Sequence, residues 1–212
     1  MRRLVQQLLI VLPVLASCTA VKPEAVLSVA AAPEPAVPAM HAPAYVEPEY
    51  TGPRLPGRWG IYVDGANVPA SFASSSTACG EQRHELAAEA VIRDAVVHTS
   101  RSAFDSTRSL TSPPGTGGQS GVTWALAIRL LQADAGLEWD DATARPVARA
   151  DLKAEIAVFD SRGELVRRMT ERAAAMSDYG SGCDNGAVLM SHAYRRASHA
   201  LVSKIVPELG TN

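Results

Sequence analysis

The chain has 212 residues, of which 47% are hydrophobic, and a formal net charge of −2. That length suits one domain with additions, and the hydrophobic share supplies an ordinary core. Acidic and basic residues are mixed along the chain. Neither a basic stripe nor an acidic tail stands out, so no nucleic-acid partner is expected.

Residues 1–17 read as a secretory signal: Arg2 and Arg3, then the apolar run LVQQLLIVLPVLA, then Ser17. The apolar run is too short to cross a bilayer, which takes about 20 residues. The end of the leader, Leu15-Ala16-Ser17-Cys18, resembles the lipobox of bacterial lipoproteins. That resemblance implies cleavage before Cys18, which then carries diacylglycerol and a palmitate-type N-acyl chain. Anchoring by several acyl chains is stable, so the mature chain should stay on its membrane. Thr19 follows the cysteine, where inner-membrane retention would favour Asp. The resemblance thus points to the periplasmic face of the outer membrane. Loss of Arg2 and Arg3 leaves 18 basic against 22 acidic residues in the mature chain.

Residues 18–57 are expected to form the lipidated Cys18 and a disordered tether rich in Pro and Ala. Eight of the fourteen prolines fall there, which suits neither a helix nor a central strand. At about 3.1 Å per residue, such a tether spaces a domain at most on the order of 100 Å from the lipid.

The folded domain is expected over 58–212. Trp59, Ile61 and Val63 alternate with Gly60, Tyr62 and Asp64, the pattern of a half-buried strand. A Ser/Thr-rich loop (SFASSSTACGE) follows, and HELAAE suits a helix or a short edge strand. A helix is expected to about Ser106, with Ile92, Ala95, Val96, Thr99 and Ala103 on one side. SLTSPPGTGGQSG reads as loop. Val122, Trp124, Leu126, Ile128 and Leu130 then alternate as a strand, matched by Ala148, Leu152, Ala154, Ile156 and Val158 in a second. Asp160 to Gly163 supplies the hairpin turn. ELVRRMTERAA makes a third, more polar strand nearer an edge. Met190, Tyr194, Ala197, Leu201 and Ile205 give a final helix over about 185–206 its apolar stripe. The predicted fold is α+β, in the order strand-helix-strand-strand-strand-helix. It is a two-layer sandwich whose roughly four-stranded, mainly antiparallel sheet carries both helices on one face.

Little in the sequence points to chemistry. Cys79 and Cys183 form an even pair in an exported chain, and each precedes a helix, so a disulfide between them is expected. No C-x-x-C or H-x-x-x-H spacing supports a metal site. His84, His98, His192 and His199 are scattered and read as surface or helix-face residues. Pro114 to Gly118 lacks the Gly-Lys-Ser/Thr of a phosphate loop. Asp134, Glu138, Asp140 and Asp141 gather around Gly136 without the spacing of a calcium loop, and read as a solvated hairpin end. No catalytic residue, metal or cofactor is expected.

The lipobox, the tether and the element order resemble the YajG-type family of small outer-membrane lipoproteins. The segments WALAIRLLQADAG, ADLKAEIAVFDSRGELVRRMTERAA and HAYRRASHALVSKIV are similar to that family's long hairpin and last helix. A similar two-layer shape occurs in LptE-type lipoproteins. The resemblance implies an anchored, non-enzymatic protein. The expected role is a binding or assembly accessory of the cell envelope, held through its lipid and contacting an envelope protein. Capture of a lipid or peptide between sheet and helices is the alternative. An envelope hydrolase, using Ser, His or Asp groups in the 71–85 and 177–192 loops, is a further one. The mixed charges of Arg149, Asp151, Lys153, Glu155 and either Arg167 or Arg168 are a candidate docking face. If Cys18 is the anchor, Cys18→Ser should release the exported chain from membranes; a variant still bound after a carbonate wash would contradict this.

Overall fold

The computed structural model describes residues 45–69, 71–73, 79, 83–115, 121–178 and 183–210. The signal sequence, Cys18 and the chain to Ala44 lie outside the described residues, as do residues 74–78 and 116–120. Among the described residues the strands are β1 (Leu55–Asp64), β2 (Ser71–Ala73), β3 (Arg83–Glu85), β4 (Phe104–Ser109), β5 (Trp124–Asp140), β6 (Arg145–Asp160) and β7 (Leu165–Ser177). The helices are α1 (Ala88–Ala103) and α2 (Gly186–Leu209). The main sheet runs β4-β1-β5-β6-β7, and β2 pairs with β3 in a separate short hairpin. The helices pack on each other and on the sheet, so the class is α+β as the residue patterns indicate.

Two expectations about the sheet are corrected. It has five strands and not four, and it is mixed: β1 is parallel to both β4 and β5, while β5, β6 and β7 form an antiparallel meander. The additional strand, FDSTRS, takes in residues 104–106, which the sequence pattern assigns to the end of the first helix. That helix stops at Ala103, and Phe104 turns directly into an extended conformation with its N–H donated to the Ser100 carbonyl. Only Phe104 of β4 is buried, so no alternation marks the strand. The chain leaves β1 through α1 and returns beside it, and a return of this kind makes β4 parallel to β1.

The meander is longer than its apolar pattern. β5 continues through Gly136 to Asp140, so Asp134, Glu138 and Asp140 lie along a strand and Asp141 opens the turn beyond it. Asp140 Oδ2 accepts from the Thr143 hydroxyl at 2.8 Å and Asp140 Oδ1 from the Ala142 N–H at 3.0 Å, which hold its carboxyl below its usual range. At the next turn Asp160 accepts from the N–H groups of Arg162 and Glu164, and Gly163 takes a φ of 81° that an L side chain resists.

The core sits between sheet and helices. Ile61, Leu126, Ile128, Leu152, Ala154 and Ile156 face the helices, and Ile92 and Val96 of α1 meet them. The stripe of α2 is completely covered, and it includes Tyr194, whose hydroxyl donates to the Ala133 carbonyl at 3.2 Å. Burial pushes the Tyr194 phenol well up from its ordinary pKa.

The folded unit begins earlier than residue 58. Residues 45–54 lie on the helices as a strap, and β1 starts at Leu55. Tyr45 stacks on His192 of α2, with ring centroids 4.1 Å apart. Glu47 accepts from Arg195 of α2 at 2.7 Å and lies 3.7 Å from His98 Nδ1 of α1. The Tyr50 N–H donates to the Ser102 hydroxyl at 3.0 Å, and Arg54 Nε donates to the Ser102 carbonyl at 3.0 Å.

Cys79 and Cys183 are joined, with Cα atoms 5.3 Å apart and a sequence separation of 104. Cys183 opens the short 3-10 turn (Cys183–Asn185) that leads into α2. Next to it Gly186 must be glycine, because a Cβ there would meet the His84 ring at 2.4 Å. A loop of this length supplies on the order of 4 kcal/mol in the chain-entropy view. Cys79→Ser/Cys183→Ser should therefore lower the Tm by about 10 °C, measured by calorimetry against the oxidised chain. Equal Tm values would show that the bond contributes nothing.

Candidate functional site

Where α2 ends, the sheet extends beyond the helix layer and leaves an apolar cleft of about 300 Å³. The start of β1 contributes Leu55, Pro56 and Trp59, and the start of β5 contributes Trp124. Val158 of β6, Val166 of β7 and Leu209 of α2 complete the walls. Trp59 and Trp124 are register partners on parallel strands, which sets their rings 6.0 Å apart; Phe104 stacks on the other side of Trp59 at 4.6 Å. The Trp59 indole N–H donates to the Pro56 carbonyl at 3.1 Å, which fixes the ring against the mouth of the cleft.

One charged pair stands at the rim. Arg167 donates to the Glu208 carboxylate at 3.1 Å and also to the Glu208 carbonyl, so its charge is matched from within the chain. Leu165, outside the rim, and Val166 of the wall are 48% and 52% exposed. Apolar walls, two aromatic rings and exposed aliphatic groups suit a hydrophobic contact. The volume is at the low end of the roughly 300–1,000 Å³ of small-molecule sites, which suits one or two side chains better than a several-chain lipid.

The sequence did not single out this cleft. Trp59, Trp124 and Val158 read only as inward strand positions, and nothing in the pattern of α2 shows that a cleft opens beside them where the helix ends. The expected docking face is present in part. Arg149, Asp151, Lys153 and Glu155 lie on the sheet face away from the helices, with Arg168 beside them; Arg167 points to the helix side instead. Asp151 accepts two hydrogen bonds from Arg172 at 2.7 and 2.6 Å, and this guanidinium holds its carboxyl below the usual range. Stability from that pair is therefore present above the ordinary carboxylate pKa and is lost as pH falls through the depressed one.

The other candidates do not converge. His98 and His192 serve the strap, and His84 is buried against Gly186 with no hydrogen-bond partner for Nε2 among the described residues. Among the described residues no group of three His, Cys, Asp or Glu side chains could hold a metal ion. Asp134, Glu138 and Asp151 share a shallow groove with Arg149 in their midst. No helix among the described residues is long and apolar enough to cross a membrane.

Neither a protein-family model nor a curated protein matches this chain. Solved structures resemble it in part. A minor lipoprotein from Acinetobacter baumannii is 11% identical over 74% of this chain and 92% of its own, with a TM-score of 0.35. The hypothetical protein CT253 from Chlamydia trachomatis is 11% identical over 74% of this chain and 100% of its own, with a TM-score of 0.39. Identities and scores this low leave the function of the chain to its own residues.

The strap gives this region a measurable anchor point. Glu47→Ala should cost about 1 kcal/mol, since the Glu47–Arg195 pair is largely shielded, and should lower the Tm by about 2–4 °C. Arg195→Ala should cost about the same, and the double variant little more than either. Fully additive losses in the thermal melts would show that the two groups do not interact.

Proposed function

We propose that the protein is a lipid-anchored accessory at the periplasmic face of the outer membrane, of the YajG-like kind, which binds or helps assemble another envelope protein without catalysing a reaction. The observation that carries this is the apolar cleft at Trp59 and Trp124, with Leu165 and Val166 exposed beside it. Exposed aliphatic groups next to aromatic walls stabilise a complex by leaving water when a partner covers them. The lipobox resemblance supports the anchor, and the scattered histidines support a non-catalytic role, because acid–base chemistry needs groups within hydrogen-bond reach.

Capture of a peptide is the form of binding that the cleft favours over capture of a lipid between the layers. The layers are filled: Ile128, Ile156, Leu201 and Ile205 leave no exposed surface there. A photo-crosslinking residue placed at Val166 should give discrete protein adducts in intact envelopes, whereas one at Arg149 should give none. An absence of adducts at Val166 would sink the proposal. So would turnover of an envelope substrate by the purified chain, if His84→Ala abolished it.

A further inference from the structure

The two halves of β7 differ along their free edge. In the second half α2 covers the strand: Lys204 Nζ donates to the Arg172 carbonyl at 2.7 Å, and Arg196 donates to the Met176 carbonyl at 2.9 Å. Backbone groups alternate in direction along a strand. Those of Arg168 and Thr170 therefore point the same way as those of Arg172 and Met176, away from β6. No hydrogen bond among the described residues reaches the carbonyls of Arg168 or Thr170. Both residues are exposed, and this open half adjoins the cleft at Val166 and Arg167.

From this edge we infer that residues 165–170 form a strand-addition site for an extended segment of another protein, with apolar side chains towards the cleft and carboxylates on the opposite face. The inference rests on the binding role proposed above and specifies its mode. Strand addition gains affinity from main-chain hydrogen bonds and specificity from pockets for alternate side chains, and an open edge beside a cleft offers both. The charge decides the occupant. Arg168 lies on the face away from the helices with no ion pair among the described residues, about 13 Å along the strand from Arg172, whose charge Asp151 already matches. A second copy of β7 laid against the first would crowd two Arg168 and two Arg172 residues onto one face. Like charges so placed oppose pairing, whereas a strand carrying carboxylates there is attracted. The arginines thus select against self-pairing and favour an acidic partner strand.

The test uses the mature chain carrying Cys18→Ser and two synthetic hexapeptides, one alternating Val and Glu and one alternating Val and Lys. At millimolar concentration the Val/Glu peptide should protect the amides of Arg168 and Thr170 from hydrogen exchange and change the fluorescence of the cleft tryptophans. The Val/Lys peptide should bind about tenfold more weakly. Arg168→Glu should reverse that preference. Thr170→Pro should abolish binding while keeping the Tm, because a proline whose missing N–H faces outward is tolerated on an edge. A fluorescence response without protection of the two amides, or equal binding of both peptides, would overturn strand addition while leaving the cleft a binding site. Binding that survives Thr170→Pro, or dimers formed through this edge in sedimentation, would also overturn it. No response of the tryptophans or amides to either peptide would overturn the inference, while the crosslinking at Val166 would still decide the proposed function independently.

Discussion

Most of this structure follows from seating α2 on β6. The helix presents Met190, Tyr194, Ala197, Leu201 and Ile205, and β6 presents Ala148, Ala150, Leu152, Ala154, Ile156 and Val158 on the facing side. The three alanines let the helix approach closely, and the larger residues fill the gaps between its turns. Burying each large aliphatic side chain contributes roughly 1.5–3 kcal/mol. The register of the meander follows, because a slip of one residue would turn every one of these side chains to water. The disulfide at the head of α2 and the glycine contact with His84 fix where the helix starts. Its length then fixes how much of the sheet stays uncovered.

That remainder is where the function is proposed to lie. At its far end the same helix leaves Trp124 partly open beside the buried Trp59 and Val158, and its Lys204 and Arg196 reach only the second half of the free edge of β7. Cleft and open edge are thus one consequence of geometry. The opposite edge, β4, is six residues long and polar, and a short polar edge is a poor template for pairing. The sheet is therefore asymmetric in what it offers to other chains.

Sequence patterns found the elements that bury one full face and, after its hairpin turn, the polar β7, and missed β4. The stripe of α2 and the alternations in β5 and β6 were legible because each apolar position meets the core. FDSTRS was not, since Phe104 alone is buried and the other five residues have no periodicity to read. The direction of β4 was hidden too, because parallel or antiparallel pairing depends on how the chain returns and not on which residues are apolar. The extent of β5 past Gly136 was masked by an acidic, partly exposed stretch whose pairing with β6 is held by backbone hydrogen bonds. The cleft was illegible for a related reason: it is defined by where α2 stops over the sheet, and a stripe of apolar residues within one helix does not show how far the sheet beneath it extends. The cysteine pair was legible from counting alone.

The strap has a mechanical meaning. Tension applied at Tyr45 meets a ring stack, then the Glu47 contacts to both helices, then the Ser102 contacts, before it reaches the backbone of β1. Because these attachments lie in sequence along one line, a pull from the amino-terminal side would peel them one after another. β1, paired on both sides in the sheet, would be loaded only after the strap had given way. The strap is in this sense a strain relief, which lets the chain ahead of it be tugged without transmitting the force to the core.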